Sequence, residues 1–127
     1  MPLTDAGRNH IAQDFNGEAV TAEFNNANAH LGVGNGAGAF APGQTDLQGG
    51  STFRRPMEAT FPSRATNVIT ARAVFAPGEA NFAWEEWGYF NAVAAGTMFS
   101  RKVEALGTKP STQTWILTAT LTVNIGA

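Results

Sequence analysis

Trp84, Glu85, Glu86 and Trp87 are the residue types that sugar-binding and sugar-cleaving sites use. Paired carboxylates can act as acid and base across a glycosidic bond, and indole faces can form a platform for a sugar ring. The spacing argues otherwise. Neighbouring residues on a strand point to opposite faces, so only one of the two glutamates can enter a given cleft. The chemistry that fits is structural. One glutamate turns inward and pairs with an arginine, Arg72 or Arg101, while the tryptophans pack. Strict alternation puts Glu86 on one face with Trp84, Gly88 and Phe90, and Trp87 with Tyr89 on the other. Gly88 then leaves space for a neighbouring ring or backbone.

Other reactive types are scattered. His10 and His30 are the only histidines, and no carboxylate cluster is evident around either, so no metal set is expected. The run Gly34-Asn35-Gly36-Ala37-Gly38-Ala39 partly fits a phosphate-cradling pattern. It opens no helix, however, because Phe40-Ala41-Pro42-Gly43 follows. Serines 51, 63, 100 and 111 lie outside any nucleophile-elbow motif. Alternation splits Arg54 from Arg55 and Arg101 from Lys102 across two faces, which breaks up a phosphate-binding stripe. No catalytic set, cofactor site or metal site is expected.

The elements that must hold these residues read mainly as strands. Residues 4–15 form the best helix, with Thr4 as N-cap, Asp5 in the first turn, and Leu3, Ile11 and Phe15 as a short apolar stripe. Asn16-Gly17 stops it. A short strand with Leu31 and Val33 on one face precedes a Gly-rich loop over 34–52, anchored by Phe40 and Leu47. Residues 53–61 alternate, with Pro56 marking an edge or bulge. Strands are expected over 67–75 (Ile69, Ala71, Ala73 and Phe75 inward), 82–90, 97–106 and 114–125. The last is the cleanest: Trp115, Leu117, Ala119, Leu121, Val123 and Ile125 face threonines on the other side.

Strands separated by turn signals imply an all-β antiparallel sandwich with a short N-terminal helix and a long Gly-rich loop. The chain reads as one domain, 1–127, with a helical arm over 1–20, a contact loop over 34–52 and a sandwich core over 53–127. The 127 residues include eight basic and ten acidic side chains, 14% charged overall, and no cysteine. The missing thiol removes disulfide scaffolds, thiolate zinc sites and cysteine nucleophiles. The slight acidic excess disfavours a general nucleic-acid binder. There is no signal-peptide pattern at the start and no apolar run long enough to span a bilayer, so a chain made in the cytoplasm is expected, with no membrane partner.

Pro2-Leu3-Thr4-Asp5-Ala6-Gly7-Arg8-Asn9, Asn26-Ala27-Asn28-Ala29-His30-Leu31-Gly32-Val33-Gly34 and Gln44-Thr45-Asp46-Leu47-Gln48-Gly49 resemble segments of small structural proteins of tailed bacteriophages. The strongest block is Ala80-Asn81-Phe82-Ala83-Trp84-Glu85-Glu86-Trp87-Gly88-Tyr89-Phe90-Asn91-Ala92, followed by Gly96-Thr97-Met98-Phe99-Ser100-Arg101-Lys102-Val103-Glu104 and the alternating tail. It is similar to the amino-terminal module of phage tail-collar fibre proteins. The resemblance implies a non-enzymatic virion component in the tail, collar or fibre-attachment apparatus, made in the bacterial host. The expected partners are copies of itself, as a trimer or hexameric ring, and other virion proteins. A capsid decoration protein and a carbohydrate-binding module are the alternatives. No shaft or receptor-binding tip follows the module here, which argues against direct host recognition and leaves room for a capsid or neck role. Trp84, Glu86, Trp87, Gly88, Phe90, Trp115, Arg72, Arg101, Phe40 and Leu47 are the residues expected to carry structure or assembly. The 35–51 loop and the helix are the expected contact elements.

Overall fold

The computed structural model describes residues 2–124. Thr4 begins the fold by capping helix α1 (Asp5–Phe15), its hydroxyl oxygen accepting from Gly7 N at 2.9 Å. That oxygen also donates to the Met98 carbonyl at 2.5 Å, and Thr4 is fully buried. The cap therefore ties the helix to the body of the protein as well as starting it. A backbone bridge between Leu3 and Ser100 extends the same attachment. The N-terminal segment is thus docked and not a free arm.

Seven strands form two antiparallel sheets. The first contains β1 (His30–Gly34), β2 (Thr52–Pro56), β5 (Ala83–Phe90) and β6 (Met98–Thr108), in the order β2-β1-β5-β6. The second contains β3 (Ser63–Ala65), β4 (Val68–Phe75) and β7 (Trp115–Thr122), in the order β3-β4-β7. All neighbours are antiparallel. This is the all-β sandwich that the alternation predicts. Its core begins at β1 and not at residue 53, because β1 pairs with both β2 and β5 in the middle of the first sheet.

The inner faces complement each other in size. Leu31, Val33, Trp87 and Tyr89 from the first sheet meet Ala71, Ala73, Phe75, Leu117 and Ala119 from the second. Small alanines on β4 and β7 leave room for the large rings of β5. Phe75, Trp84 and Trp115 form an edge-to-face chain, with centroids 4.9 and 5.0 Å apart. Each large side chain buried here contributes on the order of 2 kcal/mol.

Three expectations are corrected. First, the strand expected over 53–61 ends at Pro56, whose ring supplies no N–H to a ladder. Met57 is still buried, Phe61 is half-buried, and the chain turns back through the short β3. Second, Trp84 does not share a face with Glu86. A register shift between Trp84 and Glu86, where extra residues of β6 bulge opposite β5, breaks the regular alternation. It sends Trp84 into the main core with Trp87 and Tyr89, while Glu86 and Phe90 stay on the other side. Third, the helix stripe is largely uncovered: Ile11 is 46% and Phe15 95% exposed. The expected inward position of Ile125 lies outside the described residues.

Candidate functional site

The outer face of the first sheet carries the polar cluster that matters. Glycines 32, 34 and 88 remove side chains from this face of β1 and β5 and leave a trough. A Cβ on Gly32 or Gly88 would crowd the Phe90 ring and the Leu47 side chain. A Cβ on Gly34 would collide with the Glu86 carboxylate. The Gly-rich loop folds down into this trough, with Leu47 packed beside Phe90 and Met98.

Glu86 is the centre. Its Oε1 accepts from Gln48 N at 2.8 Å and from Arg101 Nε at 2.7 Å. Its Oε2 accepts from Gly36 N at 3.0 Å and Gly49 N at 2.7 Å. Arg101 spends its remaining donors on the same loop: Nη1 on the Gln44 side-chain oxygen at 3.0 Å, and Nη2 on the Gly38 carbonyl at 2.9 Å. Both side chains of the pair are completely buried. A buried ion pair is tolerable only when its other hydrogen-bonding positions are filled, and here loop backbone fills them. The pair therefore holds both ends of the Gly-rich loop on the sheet. Of the two candidate arginines, Arg101 takes Glu86. Arg72 lies 2.6 Å from Glu58, but its buried Nε makes no hydrogen bond of proper geometry.

The other expected residues fall into place around this centre. Trp84, Trp87 and Tyr89 are buried, so none offers a ring face to a sugar. The Trp87 indole donates to Glu104 at 3.1 Å, and half-buried Trp115 donates to Gln113 at 2.9 Å. Burial pushes the Tyr89 phenol well above its ordinary range. Phe40 is half-buried, and Leu47 is buried beside Phe90 and Met98, where it anchors the loop to the first sheet. Arg54 reinforces the same face. Its guanidinium sits 3.6 Å from the centre of the Phe90 ring and donates to the Ala92 and Ala95 carbonyls.

Two groups escaped sequence reasoning. Lys109 is 1% exposed, with its ammonium on the Ala76 carbonyl at 2.8 Å and the Asn81 side chain at 2.9 Å. Nothing in its local sequence marks it as interior. His10 lies beside two carboxylates, Asp14 and Glu23, contrary to the expectation that no carboxylate clusters near it. The His10–Asp14 spacing of four was visible, because α1 places such residues on one face. Glu23 arrives through tertiary folding.

Chemically, the Glu86 centre is closed. Its carboxylate is shut off from solvent and committed to four donors, so it orders backbone and reaches no substrate. No protein-family model matches the sequence, and no curated protein is significantly similar to it. The fold and site together define an all-β sandwich whose principal polar cluster staples a loop.

Proposed function

We propose that this chain is a non-enzymatic structural component of a tailed-phage virion, assembling through subunit contacts in the tail, collar or fibre-attachment apparatus. The observation that carries the reading is strand β7. It is an eight-residue edge strand, bonded on one side to β4, with no charged residue and no proline. Monomeric proteins blunt such an edge with lysine, proline or a covering segment, because its free N–H and C=O groups recruit other strands. Among the described residues nothing pairs with its outer edge. Exposed Ile116 on β7 and Phe15 on α1 add apolar surface that a neighbouring subunit would remove from water. The buried Glu86–Arg101 pair is satisfied within the chain, and this reading assigns surface contact as the means of action.

The test is the protein content of purified particles of the phage that encodes the chain. Quantitative mass spectrometry is expected to find it in multiple copies per particle, in a ratio set by the symmetry of its site. Its absence from particles that are otherwise complete would refute the reading.

A further inference from the structure

The His10, Asp14 and Glu23 side chains converge away from the Glu86 centre, at the mouth of a separate groove. Asp14 follows His10 by one helical turn, and Glu23 is brought across by the segment after α1. The imidazole Nε2 is 2.9 Å from Glu23 Oε1 and 3.3 Å from Asp14 Oδ2, and the three candidate ligand atoms lie within 4.8 Å of one another. A tetrahedral zinc site with bonds of about 2.0–2.1 Å has donors roughly 3.3 Å apart. The two separations from the imidazole, 2.9 and 3.3 Å, are close to that spacing.

Two further observations point to a cation. The His10 side chain is only 9% exposed, packed edge-on to Phe24, and its Nε2 finds no partner outside this cluster. One ring nitrogen also has to serve two carboxylates, though it can carry one proton. Neither Asp14 nor Glu23 has a lysine or arginine partner among the described residues. Two negative groups thus face one imidazole with no positive side chain to balance them. The adjoining groove, of about 760 Å³ and lined by Leu3, Ile11, Phe24 and Leu121, leaves remaining coordination positions open.

We infer that His10, Asp14 and Glu23 form a binding site for a first-row divalent transition metal ion of the zinc class. The imidazole selects against calcium and magnesium, which prefer all-oxygen shells, while the two carboxylates supply the charge. With the Nδ1 tautomer, Nε2 presents its lone pair to the ion. The ion would cross-link the end of α1 to the segment that contains Glu23. Its open positions face the groove, where water or an oxygen or nitrogen donor from outside the chain completes the shell. This inference is independent of the virion reading.

The experiment is titration of the chelator-treated full chain with Zn²⁺ by calorimetry, with Co²⁺ as a spectroscopic probe. One saturable site per chain is expected, with a visible Co²⁺ band and a higher thermal midpoint at saturating zinc. Millimolar Mg²⁺ should not compete. His10→Ala and Glu23→Gln are each expected to weaken zinc binding by about tenfold or more, and His30→Ala to leave it unchanged. The Glu23 side chain is half exposed, so Glu23→Gln tests the site even if His10→Ala fails to fold; circular dichroism verifies each fold. The inference is overturned if zinc shows no saturable binding at millimolar concentration. It is equally overturned if binding survives Glu23→Gln at full strength or is lost with His30→Ala.

Discussion

Glu86 and Glu85 are neighbours in sequence and opposites in consequence. Glu86 is fully buried and takes four donors; Glu85 is partly exposed on β5, where the register with β6 shifts. In Glu86→Gln the carboxamide nitrogen would confront N–H groups, and Arg101 would lose its countercharge inside the protein. Removing one member of a buried pair costs about 3–5 kcal/mol, whereas Glu85→Gln should stay within about 0.5 kcal/mol of the parent. Urea unfolding of the two variants measures this, and equal small effects would remove the staple from the account. Tyr89 gives a second residue-scale expectation. Its folded pKa lies above the ordinary phenol value of about 10, so the folded state keeps a proton that the unfolded state releases. The associated stability is complete below pH ~10 and declines as pH rises above it. Tyr89→Phe should therefore lose less stability than the parent between neutral and strongly alkaline pH. A pH series of urea midpoints with identical alkaline slopes would contradict this.

At the scale of elements, the Gly-rich loop is the part most changed by seeing it folded. Its glycines, with Phe40 and Leu47 as anchors, suggest a loop that contacts a neighbour. Within the chain the glycines permit close approach: Gly34 yields space to the Glu86 carboxylate, and the Gly36 and Gly49 amides contact it. Gly34→Ala should cost about 1–3 kcal/mol by displacing that carboxylate. Gly38→Ala has open space at its Cβ and should be near neutral. Proteolysis within the loop should accelerate in the first variant alone. The contrast explains what could be read from sequence. The inward faces of β4 and β7 were legible because alternation there is unbroken, from Ile69 to Phe75 and from Trp115 to Leu121. The face of Trp84 was not, because the β5–β6 ladder shifts register beside it and that shift leaves no mark in composition. Glu86 and its arginine were legible as residue types. The backbone amides that complete the site were not, because every residue but proline has one. Lys109 and Glu23 acquire their surroundings from segments distant in the chain.

The whole molecule combines a closed interior with an open rim. The interior is large rings on one sheet against alanines on the other, sealed outside by the loop that Glu86 and Arg101 hold. The rim includes the uncharged β7 edge and the apolar end of α1, features a lone soluble domain would avoid. Within an assembly they become contacts. Thr118 and Thr120 project outward from β7. Lysine at both positions should leave folding intact and prevent a neighbour from pairing along that strand, so the double variant should fail to enter particles. The most direct test of the central claim is high-resolution electron cryomicroscopy of intact tailed-phage particles produced from a genome that carries this sequence. The account predicts a symmetric set of these sandwiches at the tail, collar or fibre attachment, with β7 and Phe15 covered by neighbouring subunits. Particles in which the chain is absent, or present with the β7 edge and Phe15 bare to solvent, would contradict it.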